Sequence, residues 1–448
     1  MCDEEAHNCK KELIRKDIAK RGVELIRLQF IDIFGFAKNV SITPDELDSA
    51  LDGELMFDGS SVDGYGRIEE SDMYLVPDLE TFAPFSWNPE KTGVAHIICN
   101  VYGPDKKPFI GCPRNILKRS LAKAKELGYE FNVGPEGEFF LFPLDKKEQP
   151  VFNTHDDAGY FDLSPVDRGE DARRDMIVTM KKLGFSIETS HHEVAPGQHE
   201  IDFKYDEALK AADQWIIFKQ IVKSIANNHG LYASFIPKPF SGENANAMHC
   251  NQSLKINGDN GFHDPDDPLG LSQIAKYYIG GLIKHGKGIA AICNPTVNSY
   301  KRLVPGYEAP TNISWSCCNR STFIRIPLSR GERTRLELRT PDPTANPYLV
   351  FAVMLSAGLD GIINKIDPPE DIKENVGDIP KEVLCDNNIA NYPNDLEEAL
   401  DEMEKDPLIK ETLGKHAYRT FIRSKRAEWR EFEQEVHPWE IKKYFRSY

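Results

Sequence analysis

The run Gly134-Pro135-Glu136-Gly137-Glu138-Phe139-Phe140-Leu141-Phe142 sets the tightest limit on how this chain can fold. Its apolar end reads as a strand driven into a core, and the two-residue period of a strand places Glu136 and Glu138 on one face. Adjacent like charges repel, and an isolated Glu-x-Glu is more often a solvated edge than a site. The four apolar residues that follow weigh against solvation, because they pull the strand inward.

A second acidic pair lies in His192-Glu193-Val194-Ala195-Pro196-Gly197-Gln198-His199-Glu200-Ile201-Asp202, which reads as two strands around a Pro-Gly turn. Glu193 and Glu200 are expected to face each other across this hairpin. Like charges directly opposite destabilise a ladder unless a cation or an arginine lies between them. Splayed strands that let both acids reach water are the alternative. Two further strands carry polar faces of the same period: His249, Asn251 and Ser253 alternate along residues 248–254, and Arg335, Glu337 and Arg339 along residues 335–339. Five carboxylates (Glu136, Glu138, Glu193, Glu200, Glu337) and one imidazole (His249) form an oxygen-dominated set. Such a set suits magnesium or manganese and argues against zinc or copper. Five negative charges need more than one divalent ion, so two or three are expected, and multimetal sites of that kind clamp transferring phosphoryl groups.

The chain as a whole is acidic: 55 Lys and Arg against 71 Asp and Glu give a net charge of −16 over 448 residues. That balance disfavours nucleic acid or an anionic membrane as the main partner. Residues 315–339 reverse the sign locally, with six arginines against Glu332 and Glu337. Guanidinium forks match phosphate and carboxylate, so with Arg302 this stretch is suited to ATP phosphates and an acidic substrate together. Charge at the N-terminus, no apparent run of about 18 apolar residues, and nine cysteines without paired zinc spacing point to a cytoplasmic location.

The pattern of elements is α+β. Strands and turns dominate the first hundred residues, with helix expected only in the lysine-rich start and at residues 45–51. A Gly-Pro-Asp-Lys-Lys-Pro break at residues 103–108 marks a domain boundary near Lys107, dividing the chain into residues 1–107 and 108–448. Beyond it strands are expected at residues 130–141, 186–203, 233–237, 248–256 and 322–339. Helices are expected at 113–128, 169–183, 208–228, 271–291, 347–363 and 396–405. Tight turns between strands favour an antiparallel sheet. The stretch Gly281 to Gly288 nearly spells a phosphate-binding loop, but it ends in Gly where Ser or Thr is needed and follows a helix.

Together these residues resemble type I glutamine synthetase of the shorter, alpha-like subclass. The resemblance rests on Phe57-Asp58-Gly59-Ser60-Ser61, the Glu136 and Glu193–Glu200 segments, Met248-His249-Cys250-Asn251-Gln252-Ser253, Asn294-Pro295-Thr296, residues 301–310, Glu337-Leu338-Arg339 and residues 342–348. It implies a small β-grasp domain followed by a catalytic domain on a curved antiparallel sheet. It also implies a homododecamer of two stacked hexamers with active sites between ring neighbours. The implied reaction joins L-glutamate and ammonium into glutamine with ATP, through γ-glutamyl phosphate.

The same resemblance implies the residue roles. Glu138, Glu193 and Glu200 would hold one metal, and Glu136, His249 and Glu337 another. Asp58 of a neighbour would deprotonate ammonium, Glu308 would close over the intermediate, and Arg339 would stabilise the transferring phosphoryl group. Ser61, Tyr160, Asn244, Ala245, Arg302, Glu308 and Arg339 would contact substrate; Glu188, Asn251, Ser253, Arg320 and Arg325 would contact the nucleotide. Arg67 matches an arginine linked to feedback inhibition by glutamine. One departure is that Ala245 and Ala247 stand where the family usually has glycine. A positive φ at either would strain alanine by about 1 kcal/mol or more. A sister ligase joining glutamate to a polyamine or other amine, and an inactive structural or sensor homologue, are the alternatives. The intact ligand set argues against the second, and Asp58 with Glu308 against the first.

Overall fold

A computed structural model describes residues 2–65, 72–84, 93–307, 309–374 and 389–448. Arg67 and Glu308 lie outside the described residues.

The N-terminal sheet comprises β1 (Leu25–Ile31), β2 (Ala37–Ile42), β3 (Met56–Asp58), β4 (Asp72–Pro77), β5 (Ala83–Pro84) and β6 (Val94–Tyr102). Its order is β2-β1-β6-β4-β3 with β5 beside β6; β1 and β6 are parallel and the other pairs antiparallel. Period-2 burial puts Ile26, Leu28 and Phe30 of β1 and Ile97, Cys99 and Val101 of β6 into one core. Ile14 and Ile18 of the Cys2–Arg21 helix, the expected lysine-rich helix, cover it. The domain is pinned to the rest of the chain at the β1–β2 turn. There Asn346 Nδ2 donates to the carbonyls of Asp32 and Ile33, 3.1 Å each.

The second sheet contains β7 (Glu130–Pro143), β8 (Ile187–His192), β9 (Gln198–Phe203), β10 (Asp206–Glu207), β11 (Leu231–Ser234), β12 (Cys250–Ile256), β13 (Asp259–Asn260), β14 (Trp315–Ser316), β15 (Ile324–Arg325) and β16 (Leu336–Leu338). The main path runs β14-β15-β16-β12-β7-β9-β8, antiparallel except between β14 and β15. β7 changes partner midway: residues 130–135 pair with β12, and 136–140 with β9. Glu136 and Glu138 therefore sit just past the point where the sheet switches partners. Phe139 and Leu141 anchor this strand in the main core among Trp215, Phe218 and Ile221 of the Ala208–Asn228 helix.

Several expectations need correction. Residues 322–339 hold only the short β15 and β16, separated by a turn of 3₁₀ helix at Gly331–Arg333. The expected helix over 271–291 ends at Lys284 and resumes as Ala290–Cys293, because glycines 286 and 288 interrupt it. Helices not expected include Pro407–Gln434, kinked at Gly414, Pro438–Tyr444 and the short Ser299–Arg302. The Pro347–Asn364 helix is as long and apolar as a membrane span, contrary to the sequence reading. It is this apolar because 13 of its 18 residues are buried in the core. Gly281 of the near phosphate loop serves that packing together with Gly361 of the apolar helix: a Cβ at Gly281 would lie 2.1 Å from the Ala357 carbonyl, and one at Gly361 2.0 Å from that of Tyr277.

Candidate active site

The Pro-Gly turn fixes the acidic hairpin. Gln198 N–H donates to the Ala195 carbonyl at 3.0 Å, and Gly197 takes φ +71°, which only glycine adopts freely at that place in a type II turn. The turn centre lies between Pro196 and Gly197, as expected, but the strands beyond it pair one residue out of step with that centre. Glu193 pairs with Gln198, its N–H donating to the Gln198 carbonyl at 2.8 Å, and Glu200 stands opposite His191. The expectation that Glu193 and Glu200 face each other directly is corrected: they are diagonal neighbours. His191 lies between them, Nδ1 3.5 Å from Glu193 and Nε2 3.4 Å from Glu200.

Across β7 and β9, Glu138 registers with Glu200 and Glu136 with Asp202. Glu138 accepts hydrogen bonds from Ala247 N–H at 2.7 Å and Gln198 Nε2 at 3.2 Å. Burial drives the Glu138 carboxyl well above the usual range, and Glu193 adds to the rise. Burial does the same to Glu200, with Asp202 adding to it, and brings Asp202 to about 7, with Glu136 the next cause.

On the other side of β7, β12 registers Asn251 with Glu337 of β16. Glu136, His249 and Glu337 offer ligand atoms within 4.8 Å of one another, with His249 Nδ1 2.9 Å from Glu136 Oε2. Asn251 Nδ2 donates to Glu136 at 2.8 Å, and Arg335 Nε to Asn251 at 2.9 Å. Glu337 is held by Arg325, 2.7 Å away, and by Arg339. Burial, then Arg339, pushes the His249 imidazole well below its ordinary value, which keeps it in the neutral form that binds metals. Its Nε2 is buried without a hydrogen-bond partner. Carboxyls lifted by burial, a neutral imidazole with an unmatched nitrogen and mutual proximity all fit divalent cations.

Between the two acidic groups a cleft is lined by Glu138, Glu193, Asn244, Ala245, His249, Arg302 and Arg339 among others. Arg302 is 2 % exposed, and donates to the carbonyls of Thr340 at 2.7 Å and Arg339 at 2.8 Å. Ala245 and Ala247 are absent from the positive-φ residues, so the strain considered for them does not arise. Instead Ala247 presents its N–H to Glu138.

Other expected residues lie apart from this cleft. Asp58 is exposed on the N-terminal sheet, accepting from Ser60 N–H at 2.8 Å and from the hydroxyls of Ser60 and Ser61 at 2.7 and 3.3 Å. The Ser60 hydroxyl, then its N–H, holds the Asp58 carboxyl below its ordinary value. Tyr160 stacks on Phe161 at 4.0 Å and meets His191 edge-on. Glu188 falls at the register shift between β8 and β9 and is exposed, as is Arg320. Ser253 is half-buried on the Asn251 face of β12, and Arg325 is engaged with Glu337.

Sequence reasoning missed the support beneath the hairpin. Asp156 Oδ1 accepts from Gly197 N–H at 2.9 Å and lies 3.2 Å from His192 Nε2; its Oδ2 lies 3.0 Å from His155. Arg173 joins Asp167 at 2.6 Å and His199 at 2.8 Å. His155, Asp156 and Asp167 come from irregular backbone, where no period signals which side chains converge on the strands and helix that carry His192, His199 and Arg173. Gln198 was visible inside the quoted hairpin, and its place beside the Pro-Gly turn was the signal.

This geometry can be set beside known proteins. The family profile "Glutamine synthetase, catalytic domain" matches residues 110–444, and "Glutamine synthetase, beta-Grasp domain" matches residues 22–104. Glutamine synthetase of Clostridium saccharobutylicum is 54% identical over 438 residues, covering 98% of this chain and 99% of that one. Its counterpart from Thermotoga maritima is 50% identical over 433 residues, covering 97% and 99%. A solved structure of a GmaS/ADP complex superposes with a TM-score of 0.86 at 31% identity, covering 96% of this chain and 99% of that one. Profiles matching both domains, half-identical relatives of the same length and a two-sided acidic cleft on a curved sheet agree: the chain belongs to the glutamine synthetase family.

Proposed function

We propose that the chain carries out its family's reaction, ATP-driven ligation of ammonia to L-glutamate giving glutamine, ADP and phosphate, in the cleft between β7, β9, β12 and β16. The observation that carries this reading is the convergence of two acidic groups on opposite sides of β7, with Arg302 and Arg339 between them. Glu138, Glu193 and Glu200 hold one divalent ion and Glu136, His249 and Glu337 another. The ions are magnesium or manganese, two or three per site, and they neutralise phosphoryl charge when bound.

The glutamate γ-carboxylate attacks the γ-phosphorus of ATP, and ADP leaves. Arg339, fixed by Glu337, faces the charge that develops on the transferring group. Arg302 holds the α-carboxylate, with Asn244, Ala245, Ser61 and Tyr160 completing the substrate contacts. Glu188, Asn251, Ser253, Arg320 and Arg325 contact the nucleotide. Ammonium loses a proton to Asp58 of a neighbouring copy. The ammonia nitrogen then attacks the acyl carbon, and phosphate departs. Glu308 shields the acyl phosphate from water.

Asp58 lies on the N-terminal sheet, away from its own chain's cleft, which supports a site completed between copies. The assembly is a dodecamer of two stacked hexamers, the units divide at residues 107 and 108, the enzyme works in the cytoplasm, and Arg67 transmits glutamine feedback. The test is metal-dependent phosphate release from ATP with each substrate varied. Release requiring both glutamate and ammonium is expected. Indifference to ammonium with strong stimulation by a polyamine would reassign the chain to amine ligation. In Glu308→Ala, phosphate release without matching glutamine is expected, and an unchanged glutamine yield would remove its shielding role.

A further inference from the structure

Lys238 is a buried cation that the reaction described above does not use. It is 9 % exposed, and its Nζ donates to the Glu243 carbonyl and lies 3.8 Å from the centroid of the Tyr307 ring. Among the described residues no carboxylate lies within ion-pair distance of it. Its backbone is clamped on both sides: Lys238 N–H donates to Asn298 Oδ1 at 2.8 Å, and Asn298 Nδ2 donates back to the Lys238 carbonyl at 3.0 Å. Burial lowers the ammonium from its usual lysine value, as expected where ring and carbonyl replace water.

Both contacts lead to the cleft. Glu243 precedes Asn244 and Ala245, and Tyr307 lines the same cavity from another segment of the chain. Asn246 N–H donates to the Pro237 carbonyl at 2.8 Å, and Asn246 Nδ2 to that of Ile236 at 2.9 Å, so the segment before Lys238 and the one carrying Asn244 move together. A desolvated ammonium over an aromatic face is held more strongly than an exposed one. Replacing the lysine by a neutral chain frees the ring while leaving the backbone clamp in place.

We propose that Lys238 is a positioning residue: its cation–ring contact with Tyr307 fixes the Tyr307 wall against the Glu243–Ala245 wall and so keeps water from the acyl phosphate. This rests on the reading of the cleft as the ligation site. When the contact is lost, water attacks the acyl carbon of γ-glutamyl phosphate and phosphate leaves. Glutamate is regenerated, and the net result is ATP and water giving ADP and phosphate.

The experiment measures ADP and glutamine together in the full-length enzyme. Lys238→Met and Tyr307→Leu should each raise ADP formed per glutamine about three- to tenfold, the factor that a partly desolvated cation–ring contact supports. Lys238→Arg and Tyr307→Phe, which keep cation and ring, should restore coupling. The double variant should be no worse than either single one. One ADP per glutamine in both Lys238→Met and Tyr307→Leu, whatever their rates, overturns the proposal, and so do additive effects in the double variant. Tyr307 is only half-buried, so Tyr307→Leu decides the matter even where Lys238→Met fails to fold. Glu138→Gln separates the two readings. Undiminished glutamine synthesis in that variant would sink the cleft assignment, whereas its loss alongside coupled Lys238→Met would sink the Lys238 proposal alone.

Discussion

Glu337 is 1 % exposed, and one carboxylate oxygen faces Arg325 while the other meets Arg339. Removing a partner from a buried ion pair costs about 3–5 kcal/mol, because the remaining charge stays desolvated. Glu337→Ala should therefore lower the urea midpoint and weaken manganese binding at least about tenfold; an unchanged electron paramagnetic titration would remove Glu337 from the ligand set. Asp156 touches the turn between Glu193 and Glu200 without entering the cleft. Asp156→Asn is expected to weaken manganese binding about tenfold with little loss of secondary structure by circular dichroism; wild-type affinity would limit Asp156 to general stability. The acids at 136, 138, 193, 200 and 337 were legible in the sequence because a strand's period and a Pro-Gly turn show which side chains share a face. Their exact partners were not. The strands pair one residue out of step with the Pro-Gly turn, His191 between the acids needed that register, and the Asp156 network joins a segment without regular structure to the turn and to β8. The conformation of Ala245 and Ala247 was likewise set by tertiary contacts that no local pattern reveals.

Helices with long apolar patterns were legible, and the packing between them explains why glycine recurs there. The Gln273–Lys284 and Pro347–Asn364 helices meet backbone to backbone at Gly281 and Gly361. Gly281→Ala forces a methyl group into the Ala357 carbonyl, and overpacking of that kind costs about 1–3 kcal/mol or more. A lower urea midpoint with an unchanged slope is expected; an unchanged midpoint would mean that the helices separate freely. At the end of the first helix His285 stands between Asp406, 2.6 Å from Nδ1, and Asp360, 3.0 Å from Nε2 and itself paired with Lys284. Burial opposes the imidazolium, but the bonds to Asp406 and Asp360 outweigh it and raise the histidine above its ordinary value. A raised histidine contributes stability that is complete below its unfolded value, near 6.5, and is lost as pH rises through the folded one. Thermal stability should thus fall above about pH 6.5 in the wild type, and this component of the slope should vanish in His285→Gln. An identical slope in both would exclude His285 as its source. Strands of two or three residues, such as β14 to β16, carry too few positions to show a period, so residues 322–339 read as more regular than they are. The Pro407–Gln434 helix was missed despite its signal: Asp406 caps it by accepting from Leu408 N–H at 3.0 Å, with Pro407 at the first turn.

At the scale of the whole molecule, two features bear on the proposed assembly. Asp58 lies in β3 and is not among the residues that line the cleft, and the C-terminal helix Pro438–Tyr444 has no buried residue. Trp439 is 61 % exposed, Ile441 52 % and Phe445 79 %, close together in a chain whose net charge of −16 would otherwise keep copies apart. Single exposed apolar residues are ordinary, but a tail carrying several large ones is suited to burial against another copy. If that tail joins rings and the Asp58 sheet joins neighbours within a ring, the two interfaces can be broken separately. Trp439→Ala combined with Phe445→Ala should convert dodecamers to hexamers in light scattering while ligation per subunit stays within about twofold, since a surface apolar-to-alanine change leaves each cleft's own packing intact. Asp58→Asn should do the reverse, preserving the dodecamer and abolishing glutamine formation. An active monomer would refute completion of the site between copies, and a dodecamer unaffected by loss of both aromatics would place the ring contact elsewhere.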